Sequence, residues 1–137
     1  GTSDIQLTTV QKLNLSGAII VTTPQEIALN DARKASSMFT NPELKVPILG
    51  VVENMSWFTP AKHPDEHYYI FGRGGGMKLA QEYETRLLCQ IPLVMEVGEA
   101  AEEGRNVFQQ TDKVAVVAFE NLAGQVIEAI ETIKTNK

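Results

Sequence analysis

Three short apolar runs set the strongest limit on how this chain can fold. They occupy residues 18–22, 46–52 and 87–91. None of them alternates strictly between polar and apolar residues, as a strand with one wet face would. Each run therefore fits a strand that is buried on both faces of a parallel sheet. Parallel strands need crossover connections, and these are usually helices.

Helix patterns separate the three runs. Thr23-Pro24-Gln25-Glu26 predicts a capping box, with Thr23 as the N-cap and Pro24 in the first turn. The helix that follows should end before Asn41-Pro42. Further helices are predicted over residues 5–12, 77–84, the first part of 96–110, and 111–134. This order predicts an α/β fold: a partial doubly wound parallel sheet of three strands with flanking helices.

Three parallel strands make an incomplete domain, because a parallel sheet needs cover on both faces and neighbours along its edges. We therefore expect a further strand beside residues 18–22, contributed by sequence upstream of Gly1. The first residue is not Met, which agrees with this expectation. Residues 1–137 are accordingly predicted to form one unit, the C-terminal half of a larger domain.

Charge and composition exclude several classes of partner. With 12 basic and 17 acidic residues, the chain has a net charge of −5. It has no cluster of Lys or Arg, so neither nucleic acid nor an anionic membrane is expected as a main partner. No apolar run approaches the roughly 20 residues of a membrane span. The lone Cys89 excludes an intrachain disulfide and fits a reducing, cytoplasmic setting.

Four segments in a fixed order resemble a known family. They are residues 1–4 (Gly-Thr-Ser-Asp), 51–56 (Val-Val-Glu-Asn-Met-Ser), 70–76 (Ile-Phe-Gly-Arg-Gly-Gly-Gly) and 90–93 (Gln-Ile-Pro-Leu). In this order they resemble the C-terminal half of the Mrp/ApbC-type P-loop ATPases. Those proteins are iron–sulfur cluster carriers of the deviant Walker A class and are related to MinD. The resemblance implies half of a P-loop NTPase domain, without its phosphate-binding part.

The resemblance also implies which residues would bind ATP. The family's switch glycine falls on Gly1, its adenine-reading asparagine falls on Asn54, and its nucleotide-edge loop falls on Pro92 and Leu93. The residues by themselves leave other interpretations open. The first segment also fits a helix cap, Asn54 also fits an Asx-turn that closes the strand, and Pro92 also fits a rigid strand exit.

The glycine-rich stretch over residues 72–78 looks like a phosphate cradle but lacks its spacing. A P-loop requires Gly-x-x-x-x-Gly-Lys-Ser/Thr after a strand. Here Met77 separates Gly76 from Lys78, and Leu79 replaces the hydroxyl residue. The spacing of a Rossmann fingerprint fails as well. We therefore predict a structural turn that leads into a helix.

The cysteine pair of the resembled family is missing. Many members carry Cys-x-x-Cys at the place of residues 57–64, where one pair per subunit would bridge a [4Fe–4S] cluster across a homodimer. This chain has no Cys there, so cluster binding by the usual ligands is in doubt, and Cys89 is predicted to be a core residue. Pro64 argues against the helix from which His63 and His67 could chelate a metal. No metal site is predicted.

The resemblance implies a function for a longer parent protein. That parent would bind Mg-ATP at a homodimer interface, hydrolyse it and deliver iron–sulfur clusters to apoproteins. This chain would supply the adenine pocket and part of the dimer surface. It holds no catalytic residue and is not expected to hydrolyse ATP alone, because nothing in it can hold the β,γ-phosphates and their metal. The alternatives are a non-enzymatic dimeric adaptor and a MinD/ParA-like positioning ATPase.

Overall fold

The three apolar runs form the strands of one parallel sheet. These are β1 (Ala18–Thr22), β2 (Ile48–Glu53) and β3 (Leu87–Gln90), in that order across the sheet. Both strand pairs are parallel, so the predicted α/β class with three parallel strands is confirmed. The structure is a computed structural model and describes residues 4–44, 46–60, 62–109 and 113–136.

Helices connect and flank the strands at the places that the sequence predicts. Within the described residues they are α1 (Asp4–Lys12), α2 (Glu26–Ser36), α3 (Gly75–Glu82), α4 (Met95–Glu103) and α5 (Lys113–Thr135). Short 3₁₀ turns occupy Ser37–Thr40 and Val107–Gln109. In the parts of the chain that the structure describes, none of these helices combines the length and the apolar character that a bilayer crossing needs.

The helices cover the sheet from both sides, as the doubly wound prediction requires. One apolar cluster joins β1 and β2 to α2 and α3; its buried members are Ile20, Leu29, Ala32, Val51, Leu79 and Ala80. A second cluster lies on the opposite face, under α5; its buried members are Leu49, Val52, Leu88, Cys89, Ile91 and Ala129. The predicted apolar stripe of α5, from Phe119 to Ile133, packs on this second cluster.

The predicted capping box at the start of α2 is wrong. The N-cap is Gln25, and it makes no side-chain capping bond. The hydroxyl of Thr23 donates instead to Oε1 of Gln25 at 2.6 Å. The side chain of Glu26 turns away from the cap, because it pairs with Arg33 at 3.0 Å and with Lys78 of α3 at 3.1 Å. A tertiary ion pair thus replaces the local cap.

The outer edge and one face of β1 stay uncovered within the described residues. Within the described residues, β1 pairs with β2 alone. Ile19 and Val21 lie on the face opposite Ile20, since side chains alternate along a strand, and they are 37% and 61% exposed. An apolar strand with a free edge and an exposed face is a surface that natural proteins normally cover. This feature agrees with the expectation of a further strand beside β1.

Candidate functional site

The carboxyl ends of β2 and β3 lie side by side, and the loops that leave them remain hydrogen-bonded. The N–H of Ile91 donates to the carbonyl oxygen of Glu53 at 2.8 Å, and the N–H of Ser56 donates to that of Ile91 at 3.0 Å. Open α/β sheets bind ligands in the crevice at this edge. The structure therefore brings three predicted residues, Asn54, Pro92 and Leu93, to one edge of the sheet.

Asn54 is half-buried and held by both backbone and side chain. Its N–H donates to the carbonyl oxygen of Thr22 at 2.7 Å, and its Oδ1 accepts the N–H of Met55 at 2.9 Å. An Asx-turn would use the N–H of Ser56, which is bound to Ile91 instead. The oxygen of the amide thus faces Met55, and its nitrogen makes no hydrogen bond with any residue that the structure describes.

The second loop is fixed through its backbone. Pro92 is buried and Leu93 is half-buried. The N–H of Leu93 donates to the carbonyl oxygen of Trp57 at 2.7 Å. Phe58 forms a parallel bridge with Leu93 and an antiparallel bridge with Tyr68. The aromatic loop after β2 is thereby tied to the exit of β3.

A cavity of about 420 Å³ adjoins this edge on the α5 side of the sheet. Its lining is mainly apolar and consists of Trp57, Cys89, Gln90, Pro92, Val114, Val117, Ala118 and Asn121. The buried Nε1 of Trp57 has no hydrogen-bond partner among the described residues. With few polar groups in its walls, the cavity suits an apolar or aromatic group better than a phosphate.

Glu53 is the residue of this region to which the sequence assigned no role. It ends β2 and is 1% exposed. Its Oε2 accepts the N–H of Gly76 at 2.6 Å, and its Oε1 accepts Nε2 of Gln90 at 3.0 Å. A carboxylate at the end of an apolar run is unusual in a buried strand. This was the signal in the sequence that could have identified Glu53.

The glycine-rich stretch is a turn into α3, as predicted. Gly74 has the left-handed φ of 78° and precedes the helix. The N–H of Gly76, which could otherwise face a phosphate, donates to Glu53. The anion that favours a helix N-terminus is thus supplied by the chain itself.

The loop after Trp57 holds its polar residues by local contacts. Nδ1 of His63 lies 3.3 Å from a carboxylate oxygen of Glu66, and the ring of His67 stacks on Trp57 at 4.8 Å. The hydroxyl of Tyr68 donates to Glu66 at 2.5 Å, which raises the pKa of Tyr68. In the described residues no group of three or more His, Cys, Asp and Glu side chains is placed to hold a metal ion.

The two remaining predictions for single residues concern Cys89 and Gly1. Cys89 lies in the core as predicted, and burial raises the pKa of its thiol. Its Sγ donates to the carbonyl oxygen of Ala118 at 3.4 Å. Gly1, the fourth predicted binding residue, lies outside the described residues.

Known proteins resemble this chain in both sequence and fold. The profile of the ParA family, NUBPL iron-transfer P-loop NTPases, matches residues 1–127. The chain belongs to this family. The predicted resemblance to the P-loop NTPase family of iron–sulfur cluster carriers is confirmed.

Individual relatives of this NUBPL-family chain are longer than it is. An iron–sulfur cluster carrier protein of Aquifex aeolicus is 39% identical over 133 residues, which are 96% of this chain and 36% of that protein. A nucleotide-binding protein of Archaeoglobus fulgidus, solved in complex with ADP, is 31% identical with a TM-score of 0.59, over 75% of this chain and 41% of its own.

The cell division ATPase MinD of Pyrococcus furiosus shares the fold of this NUBPL-family chain. Its TM-score is 0.58 at 22% identity, over 82% of this chain and 43% of its own. The chain thus spans less than half the length of each of these three proteins.

Proposed function

We propose that this chain is the C-terminal half of an ATP-dependent iron–sulfur cluster carrier, here called the parent protein. In this proposal it supplies the adenine pocket and part of a homodimer surface. The observation that carries the proposal is the amide of Asn54. It stands at the carboxyl end of β2, and its nitrogen has no hydrogen-bond partner among the described residues. The family match supports the same proposal.

The orientation of this amide suits adenine. The carbonyl oxygen of Asn54 faces the N–H of Met55 at 2.9 Å, and it retains a second lone pair. One edge of adenine offers a ring-nitrogen acceptor beside an amino donor, which together match an amide; guanine offers two acceptors there. Asn54 therefore favours adenine over guanine. Pro92 and Leu93 would border the base or the ribose through backbone and apolar contacts.

In this proposal, the phosphates of ATP and the Mg²⁺ bind to the part of the parent protein that lies upstream of this chain. In the described residues, the glycine-rich start of α3 is already bound by the carboxylate of Glu53. This chain alone is therefore not expected to hydrolyse ATP. The ATP-bound parent would act as a cytoplasmic homodimer.

The iron–sulfur cluster is the cargo in this proposal, and apo iron–sulfur proteins are its recipients. The name of the Aquifex aeolicus relative supports this assignment. The chain has no Cys between Gly1 and Leu88, and Cys89 is buried in the core. We therefore assign the cluster ligands to the remainder of the parent protein or to residues other than cysteine.

The test compares the parent protein with residues 1–137. ATP binding and turnover are expected in the parent only, with a KM that rises in the Asn54→Ala variant. The coding sequence upstream should contain a Gly-Lys-Gly-Gly-Val-Gly-Lys-Ser-type loop. A natural product that starts at Gly1, forms a folded dimer and binds no ATP would overturn the proposal and support a non-enzymatic adaptor.

A further inference from the structure

Glu53 is a buried carboxylate to which the proposed adenine pocket gives no direct contact with the base. Both of its carboxylate oxygens accept hydrogen bonds, one from the N–H of Gly76 and one from the amide of Gln90. Burying a carboxylate is costly unless such bonds compensate for the lost water. An apolar residue at the end of β2 would avoid this cost. Packing alone therefore does not explain a carboxylate at this position, and its two hydrogen bonds point to a further role.

A glycine pair lets α3 approach this carboxylate. A Cβ atom on Gly76 would lie 2.7 Å from the Cβ of Glu53, and one on Gly75 would lie 2.4 Å from the carbonyl oxygen of Pro24. Both distances are shorter than real Cβ contacts. The start of α3 thus packs closely between the loop after β1, which contains Pro24, and the end of β2. The positive end of the helix dipole adds to the attraction for the carboxylate.

Glu53 also contacts both loops of the proposed adenine pocket. Asn54 follows it directly, so a shift of Glu53 shifts the amide. Its carbonyl oxygen accepts the N–H of Ile91 at 2.8 Å, one residue before Pro92. Its side chain holds Gln90, two residues before Pro92, at 3.0 Å. One residue therefore fixes the end of β2, the exit of β3 and the start of α3 relative to each other.

From these contacts we infer that Glu53 is a positioning residue for base recognition, which sets the distance between the Asn54 amide and the Pro92 loop. The inference rests on the proposed adenine pocket. It assigns the glycine-rich start of α3 to the same task, as the donor that holds the carboxylate. Selectivity for the base then depends on a residue that never touches it.

The test measures KM, kcat and the preference for ATP over GTP in the parent protein. In Glu53→Asp the carboxylate is one methylene shorter and cannot reach both donors. We expect KM for ATP to rise about fivefold to tenfold, the effect of one lost hydrogen bond. The preference for ATP should fall, while kcat stays close to the wild-type value. Glu53→Gln should restore both values, because its amide and a turned Gln90 amide can satisfy the same partners.

Two further variants separate positioning from stability. Gln90→Leu removes one of the two hydrogen bonds to the Glu53 carboxylate. Because Gln90 is exposed to solvent, the variant should fold. It should change KM and base preference in the same direction as Glu53→Asp, but by a smaller factor. Glu82→Gln removes a carboxylate of α3 that pairs with Arg33; it should lower stability and leave KM unchanged.

The outcomes distinguish this inference from the function on which it rests. If Glu53→Asp and Gln90→Leu lower only the melting temperature, and KM still depends on Asn54, then Glu53 is merely structural and the inference is wrong. If the wild-type parent binds no ATP, the proposed function and the inference both fail. A loss of ATP preference in both variants, rescued by Glu53→Gln, supports the inference.

Discussion

The N–H of Ser56 donates a hydrogen bond to the carbonyl oxygen of Ile91 at 3.0 Å. Ser56 is fully buried, and its hydroxyl donates to the carbonyl oxygen of Glu53 at 3.0 Å. These bonds hold the loops after β2 and β3 together beyond the end of the sheet. Together with the side-chain bonds of Glu53, they fix Asn54 relative to Pro92 before any ligand arrives, and a preformed site has less ordering entropy to lose on binding.

The first prediction separates the two roles of the Asn54 amide. Asn54→Asp keeps an oxygen that can accept the N–H of Met55, but it replaces the nitrogen donors by an acceptor. We expect KM of the parent protein for ATP to rise about fivefold to tenfold, since the bond donated to the ring nitrogen of the base is lost. The melting temperature should stay near that of the wild type. Steady-state kinetics and thermal unfolding provide the two values.

A matched control exists on α2. The Oδ1 of Asn30 also accepts a hydrogen bond, from Arg33 at 2.6 Å. Asn30→Asp should therefore change neither KM nor base preference. An unchanged KM in Asn54→Asp would mean that the Asn54 side chain only holds the N–H of Met55.

The elements of this fold are predictable from sequence because each has a local pattern. The continuous apolar pattern of residues 18–22 correctly predicts a strand, and the stripe of α5 has helical spacing. The predicted burial of both faces of β1 is wrong for the described residues, because Ile19 and Val21 are exposed. The prediction of a capping box was wrong because the carboxylate of Glu26 accepts a hydrogen bond from Lys78, which is 52 residues further along the chain. The role of Glu53 was missed for the same reason: its donors, Gly76 and Gln90, become neighbours only after folding.

The second prediction concerns the glycine pair of α3. Gly75→Ala places a Cβ 2.4 Å from the backbone oxygen of Pro24, which cannot move without displacing the loop after β1. We expect the free energy of unfolding to fall by about 1–3 kcal/mol, a typical cost of overpacking. Gly98→Ala in α4 meets open space and should stabilise by about 0.4–1 kcal/mol. If urea unfolding gave equal changes in the free energy of unfolding for the two substitutions, the close packing of Gly75 against Pro24 would be contradicted.

The third prediction concerns acid stability. Hydrogen bonds from Lys78 and then Arg33 lower the pKa of Glu26, and a hydrogen bond from Arg33 lowers that of Glu82; the ordinary value is 4.5 for both. A carboxylate with a lowered folded-state pKa stabilises the protein above its unfolded-state pKa, and this contribution disappears as the pH falls through the folded-state pKa. The parent protein should therefore lose stability below about pH 4.5.

The contribution of this network should be small, because both carboxylates and Lys78 are exposed to solvent. Urea unfolding across the acidic range would measure it, and Glu82→Gln should flatten the pH dependence. Added salt should weaken the network in the wild type and have less effect in the variant. A variant with the pH dependence of the wild type would show that other carboxylates cause the acid loss.

The last prediction concerns Cys89 and the cluster. Burial raises the pKa of this thiol, so at neutral pH it is protonated, and only the thiolate reacts with alkylating reagents or binds iron. We expect the thiol to be alkylated only when the parent protein unfolds. To ligate a cluster, Cys89 would have to leave the core and lose its bond to Ala118. The Cys89→Ala variant should thus reconstitute with the same iron and sulfide content as the wild type, at a modest loss of stability. Loss of the cluster in this variant, with the fold intact by circular dichroism, would instead make Cys89 a ligand and require the core between β3 and α5 to open.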